Sequence, residues 1–497
     1  MQLIVLILVA VVLLEDRSPS AAAVWPWASL CAAALPMAVP LGLQAILTRR
    51  ALRMLDDRDA RGVITFDRAE MFARFVPWFA LAALAVAVFG FGWLETVRRI
   101  IGDLPAIDEM VALTPAFAAM AISWSLQAPM ERRVREASLI RRLDEGLPVA
   151  PWPAAWKFVV ARVRTNILLI LVPVMIVLAV SELLEPLMRS AWPAWWNAGG
   201  RELTTLAIGA TVYVVSPWIA RLVLDVRPLA SGTLRDDLLA VCAGCGVRVR
   251  DVLLWRTEYG MVNGAVMGLI APLRFVMLTD GLLELLPREE LRAVMAHEIG
   301  HVRRRHLPWM LGVLLVLLAV SSIAMELPLR AVYERLVDSS LDAATFQTAV
   351  DWLDRSAAIG AGAVALIAFG WVSRRFERQA DAFAVQYLSR EAGGSDITPG
   401  AVMAMTAALA NVARHAGVPS GQFSWRHGSI RWRQQYLAAL VGQRIDRLGI
   451  DRLIASLKLT AACSLVVLGA LLAWELAHAD EAEARVAAST AHARTVR

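Results

Sequence analysis

The chain has 497 residues, 58% of them hydrophobic, with 50 Lys+Arg against 44 Asp+Glu. With a mean hydropathy of +0.56, it lies well beyond the composition of a soluble globular domain, whose apolar share is about 45–50%. The basic excess falls in short clusters between apolar runs rather than on one face, so it reads as membrane topology and not as a nucleic-acid interface.

A spanning helix needs about 20 largely apolar residues, and about nine runs qualify. Six lie near 1–14, 23–47, 74–94, 110–129, 165–184 and 203–222. The first is short and lacks both a positive n-region and a small-residue cleavage site, so it is read as an uncleaved first helix. From about Arg221 the chain turns charged and mixed until an apolar run at 307–325, followed by another at 357–373. A second polar stretch, Arg374 to Ile454, precedes a last run at 456–477 and a polar tail at 478–497. The expected division is a membrane module over 1–222, a polar domain over 223–455 interrupted by a transmembrane hairpin at about 307–373, a last spanning helix and the tail. The two polar stretches must hold the chemistry.

Arginine placement gives an orientation. Arg49, Arg50, Arg53, Arg58 and Arg61 crowd one loop, and Arg132, Arg133, Arg135, Arg141 and Arg142 crowd another two crossings later. Both read as cytoplasmic. The loops around Arg98 and Arg99 and around Arg189 and Arg201 are poorer in positive charge, as external loops should be. The amino terminus is then cytoplasmic, and six crossings return the chain to that side at Arg221. Arg303, Arg304, Arg305, Arg374, Arg375 and Arg378 flank the hairpin on the same side, and the tail ends outside. Lysine occurs only at Lys157 and Lys458, and with the abundant alanine this hints at a GC-rich bacterial genome and an inner-membrane location.

Four cysteines are too few for a disulfide framework. Cys31 and Cys463 lie in apolar stretches, where they pack as small hydrophobes. Cys242 and Cys245 form a CxxC with no second CxxC to complete a four-cysteine metal site. Half a metal site and a redox pair stay open, but two small residues one helical turn apart is the simpler reading.

Residues 297–301 read HEIGH, and the preceding LPREELRAVMA opens with a Pro and two acids and continues with helical apolar spacing. Positions i and i+4 share a helical face, so His297 and His301 can offer two imidazoles to one zinc ion, with Glu298 offset as the base for a water. Such a site normally takes three protein ligands. Glu377 in RRFERQADAFAVQYL is the best third, with Asp381 one turn later to hydrogen-bond a ligand histidine. The hairpin returns the two segments to one membrane side, where they can meet. Gly300, in mid-helix, implies close packing, because glycine there costs about 1 kcal/mol relative to alanine. His306, five residues after His301, falls off the ligand face and is placed at the membrane edge. His415, His478 and His492 belong to no motif.

LTDGLLELLPREELRAVMAHEIGH followed by FERQADAFA, in order around a transmembrane hairpin, resembles the membrane gluzincin peptidases that include the HtpX heat-shock protease and the type 1 CAAX prenyl protease. The resemblance covers about 225–440 and nothing in 1–220. It implies a zinc metalloendopeptidase with one zinc ion on His297, His301 and Glu377, Glu298 as base and Asp381 as orienter. VNGAVMGL resembles the family's substrate-binding edge strand, with Asn263, Gly264 and Ala265 lining the cleft, though the family more often has Asn-Ala followed by a bulky residue, from which Gly264 departs, and a plain sheet strand is the alternative. RHGSIRWRQQYL resembles a downstream His-Pro-Ser…Arg motif, placing His427, Ser429 and Arg433 at the matching positions with Gly428 where proline is usual. His427 would then donate to the oxyanion, unless it is a solvated surface group, and Arg433 would order the site.

The fold expected is a mainly α-helical polytopic membrane protein with an α+β zincin-type catalytic domain, a small sheet with a substrate-binding edge strand, interrupted by a transmembrane hairpin. The function expected is hydrolysis of membrane or membrane-associated polypeptides, in quality control or processing, at a lipid bilayer and without nucleic acid. The competing reading is a receptor or transporter whose peptidase-like domain only senses or binds. It would need intramembrane ionisable residues along a pathway, and the first six runs carry few at mid-depth.

Overall fold

The computed structural model describes residues 2–15, 26–57, 59, 61–144, 153–257, 261–338, 342–415 and 418–495. Met1, the first residues of the second apolar run, and Arg58 lie outside them. The chain divides into two compact units: Met1–Leu229 with Arg250–Asn263 and Ile270–Leu285, and Ala230–Val249 with Gly264–Leu269 and Leu286–Arg497. Among the described residues, eight helices are long and apolar enough to cross a membrane.

Five of these belong to the first unit: Pro26–Asp56, Arg61–Phe91, Ile107–Glu136, Ala155–Ala191 and Arg201–Val223. The first apolar run forms a helix, Gln2–Glu15, of only 14 residues. At 1.5 Å per residue that is about 21 Å, short of a hydrocarbon core of about 30 Å. Its apolar face is buried in the module instead, with Val5, Leu8 and Val12 fully enclosed against helices Arg61–Phe91 and Ile107–Asp144. Small residues let those helices approach: Ala80, Ala83 and Ala87 on one, Ala112, Ala116 and Ala119 on the other.

The strands are β1 (Val226–Pro228), β2 (Asp251–Trp255), β3 (Gly264–Met267) and β4 (Phe275–Thr279). In the first unit β2 runs antiparallel to β1 and parallel to β4, with Asp251 opposite Phe275 and Trp255 opposite Thr279, making a small mixed sheet. Every residue of β4 (FVMLT) is buried, as a strand covered on both faces requires.

In the second unit β3 packs against the motif helix, Arg288–Arg303. That helix opens after Pro287 with Glu289 and Glu290 in its first turn, where carboxylates meet the positive end of the helix dipole. The outgoing helix His306–Val337 and the return helix Ala343–Glu391 pack along each other as the hairpin. The return helix begins where Asp342 accepts a hydrogen bond from the Thr345 N–H at 3.2 Å. Its 49 residues extend about 74 Å, more than twice a bilayer core of about 30 Å. The apolar stretch near 357–373 can therefore sit in lipid while the remainder projects beyond it, and there the helix is buried by protein at Phe376, Glu377, Ala380, Asp381, Ala384 and Val385. At this boundary Arg375 stacks over Trp371 at 4.5 Å and Arg378 over Trp432 at 3.5 Å from ring centroid. Amphipathic pairs of this type suit the membrane–water interface. Helices Pro399–His415 and Ile430–Ala438 follow, and the last helix, Gly449–Thr495, carries its apolar part at Gly449–Leu471 and continues through most of the stretch expected as tail.

Candidate active site

The motif helix and the projecting end of the return helix lie against each other, and Gly300 sets how closely. A Cβ at Gly300 would stand 3.0 Å from Cδ1 and 3.3 Å from Cβ and Cγ of Phe383. The glycine thus provides the close packing anticipated for it, and the carboxylate of Glu377 reaches both motif histidines. His297 Nε2 and His301 Nε2 are 3.3 Å apart, and Glu377 lies 3.8 Å from the first through Oε2 and 3.7 Å from the second through Oε1. A tetrahedral centre with bonds of about 2.0–2.1 Å spaces its ligand atoms about 3.3–3.4 Å apart. Three donors from His297, His301 and Glu377 within 4.8 Å of one another, two imidazoles and a carboxylate, therefore fit a divalent ion of borderline softness in both spacing and chemistry.

Behind the donors is a bracing layer. His297 Nδ1 lies 2.9 Å from Asp381 Oδ1, so one ring nitrogen is engaged and the other is left to face the centre. Arg433 donates to Asp381 twice, from Nε at 2.8 Å and Nη2 at 2.6 Å, and its Nη1 stands 3.6 Å from Glu377 Oε2. Helix Ile430–Ala438 delivers that arginine, and it starts where Ser429 accepts a hydrogen bond from the Trp432 N–H at 3.2 Å. Gly428 just before it has φ +75°, a conformation proline cannot adopt because its ring fixes φ near −65°. The glycine in place of the family's proline is thus a different local backbone rather than a neutral exchange. His427, half exposed, places Nδ1 3.1 Å from Glu377 Oε1. The structure thus brings His297, His301, Glu377, Asp381, Arg433 and His427 into one cluster.

Residues 252–427 match the family described as Peptidase family M48, a span that opens within β2, ends on His427 and contains the three donors His297, His301 and Glu377. This segment is similar to that family over about a third of the chain. A 120-residue stretch is 30% identical to a protease HtpX homolog of Aeropyrum pernix, covering 24% of this chain and 37% of that protein, so the chain matches little more than a third of that relative's length. Among solved structures, the crystal structure of S. mikatae Ste24p is 15% identical with a TM-score of 0.40, over 82% of this chain and 98% of that one. The eight apolar helices make this a multi-pass membrane protein, and part of the chain is similar to Peptidase family M48.

Electrostatics inside the site follow from burial and charge. Burial pushes His301 down to about 4, helped by the neighbouring His297 and Arg433, which leaves a neutral imidazole. Burial also disfavours the charged form of His297, but the hydrogen bond and charge of Asp381 outweigh it and raise that group. Glu298 is pushed up to about 7, first by burial and then by the negative charge of Glu377. Arg433 is fully committed to its charged form, because Asp381 and Glu377 overcome the cost of burying it.

The remaining candidates separate. Gly264 and Ala265 lie in β3 beside the motif helix. Asn263 precedes the strand with an exposed side chain, its N–H donating to Thr279 Oγ1 at 2.9 Å and its carbonyl accepting from the Thr279 N–H at 3.0 Å. Cys242 and Cys245 are buried free thiols, and burial pushes them up to about 11 and about 12, as for small packed residues. His306, expected off the ligand face, opens the apolar helix His306–Val337 and yet reaches the site. The motif helix stops at Arg303, Arg305 takes a left-handed φ of 55°, and the sharp turn folds His306 back to a fully buried position with Nδ1 2.9 Å from His301 Nδ1. A spacing of five leaves the ligand face only on a continuous helix, and here the break between two helices returns the ring to the site.

Proposed function

We propose that this chain is a zinc-dependent endopeptidase that cleaves membrane or membrane-associated polypeptides. One zinc ion would sit on His297, His301 and Glu377, with Glu298 as general base. The convergence of those three donors from two helices separated by the hairpin is the observation that carries the reading. When bound there, zinc supplies Lewis acidity that lowers the pKa of water and polarises a carbonyl.

The chain's own residues account for the rest. Glu298, beside the two histidines, would take the proton of the attacking water and hand it to the leaving amine. Its elevated affinity for protons in the buried site suits that exchange, and a cation held nearby would draw it back towards the ordinary carboxylate range. Asp381 would keep His297 in the tautomer that presents Nε2, and Arg433 would hold Asp381 in place. His427 is exposed enough to swing from Glu377 towards a substrate and donate to the developing oxyanion. The backbone of β3 at Gly264 and Ala265, next to the motif helix, would receive the substrate as an added strand.

The orientation proposed puts this site on the cytoplasmic face, in a bacterial inner membrane. Counting from helix Pro26–Asp56, whose last turns and following loop carry Arg49, Arg50, Arg53 and Arg61, five crossings return the chain to the arginine-rich side before β1. That count does not use helix Gln2–Glu15, so the short first helix affects only the side of the amino terminus. A site at the end of a helix leaving the bilayer favours substrates tethered to or emerging from the membrane, as in quality control or processing. The test is cleavage of an unfolded, membrane-tethered polypeptide by the purified full-length chain in detergent. Glu298→Gln should abolish it, and undiminished cleavage by that variant would refute the reading.

A further inference from the structure

Resting on that metallopeptidase reading, we infer that His306, Gln379 and Asp451 form a directional hydrogen-bond relay that fixes His301 in its metal-binding tautomer. The two motif histidines are braced unequally at first sight: His297 meets Asp381 directly, whereas the Nδ1 side of His301 meets His306 Nδ1 at 2.9 Å. His306 Nε2 then lies 2.8 Å from Gln379 Oε1, and Gln379 Nε2 donates to Asp451 Oδ1 at 2.7 Å. His306 and Gln379 are buried, at 1% and 3% exposed, so each needs its partner.

The direction of the chain follows from its end. An ionised carboxylate accepts only, so Gln379 must turn its amide nitrogen towards Asp451 and its oxygen towards His306. That oxygen requires a proton on His306 Nε2, which leaves His306 Nδ1 as an acceptor. His301 Nδ1 must then carry the donated proton, and its Nε2 keeps a lone pair facing His297 and Glu377. Reversing the chain would put the proton on His301 Nε2, where it would block a metal. Asp451 is itself held in place, since its Oδ2 accepts from Arg304 Nη2 and from Gln386 Nε2, each at 3.3 Å. Both ligand histidines thus end on a carboxylate gripped by an arginine, one directly through Asp381 and Arg433, the other three bonds away through Asp451 and Arg304. His306, Gln379 and Asp451 are positioning residues that touch no reacting atom.

The test titrates the full-length chain in detergent with zinc against a competing chelator and, in parallel, records the thermal unfolding of each metal-free variant. His306→Leu and Asp451→Asn should each weaken zinc binding by about 10- to 100-fold, the usual effect of removing a partner behind a ligand. Asp451→Asn keeps the shape of the side chain but can donate, so it frees the relay to reverse without opening a cavity. His306→Asn, whose Oδ1 can replace Nδ1 as acceptor, should recover most of the affinity lost in His306→Leu. Metal-free unfolding of Asp451→Asn should stay close to that of the parent chain. Parental zinc affinity in both His306→Leu and Asp451→Asn, with affinity lost in His301→Ala, would overturn the relay and leave the metal site standing. Affinity losses that only follow losses of metal-free stability would also overturn it, by reducing the network to a structural tie. Failure of the parent chain to bind zinc would instead overturn the metallopeptidase reading.

Discussion

Replacing Arg433 by Met tests the bracing layer quantitatively. Arg433 is 8% exposed at its side chain and Asp381 is fully buried, so the substitution removes two charge-assisted hydrogen bonds of 2.8 and 2.6 Å and leaves a carboxylate enclosed with only His297 for a partner. Breaking a buried ion pair by removing one member costs about 3–5 kcal/mol, most of it the penalty of the abandoned charge. Replacing Asp381 by Asn in the same chain removes that charge, so the double variant Arg433→Met/Asp381→Asn should recover about 1–3 kcal/mol, the coupling expected within one hydrogen-bonded network. Denaturant unfolding of the metal-free chain in detergent, followed by tryptophan fluorescence, supplies both numbers. A loss below about 1 kcal/mol for the single variant, or simple additivity in the double, would show that Asp381 does not depend on Arg433.

Other sites should respond as follows. Gly300→Ala gains about 1 kcal/mol of helix propensity but overpacks against Phe383 at a cost of about 1–3 kcal/mol, so thermal unfolding should show a net loss and zinc titration a weakened site as the two helices part. Gly428→Pro restores the family's usual residue yet demands a φ the chain does not have, so unfolding measurements should show destabilisation of about 1–3 kcal/mol and peptidase assays a loss of activity. Cys242 and Cys245, with thiols pushed up to about 11 and about 12, carry almost no thiolate at pH 8 and should resist maleimide until the chain is denatured, as mass spectrometry of the labelled peptides would show. Rapid labelling of the folded chain would contradict their packed, neutral state.

What the sequence discloses and what it hides divide along physical lines. The HEIGH motif is legible because its spacing maps directly onto a helical face, and Glu377 because the hairpin's two apolar runs force its segment back to the same membrane side. Gly300 announces a close contact but not its partner, since nothing in sequence links it to Phe383. The resemblance places Arg433 and Asp381 separately, yet their pairing depends on how Ser429 caps a short helix and aims it. His306 is hidden by one residue, Arg305, whose left-handed backbone breaks the helical period that a spacing of five presumes. Gln379 and Asp451 lie in helices whose polar residues look like solvated surface, and only packing reveals that Gln379 is buried and joined to a partly exposed Asp451. The first apolar run is legible as a helix but not as a buried one, because hydropathy alone cannot distinguish lipid from the interior of a helix bundle.

Metal analysis of the purified full-length chain bears most directly on the proposed centre. Elemental mass spectrometry should find one zinc per chain in the parent and in Glu298→Gln, and a strongly reduced content in His297→Ala and in Glu377→Ala. A parent chain free of zinc after purification and resupply, or a Glu377→Ala variant that keeps its full complement, would contradict the assignment of His297, His301 and Glu377 as the metal site.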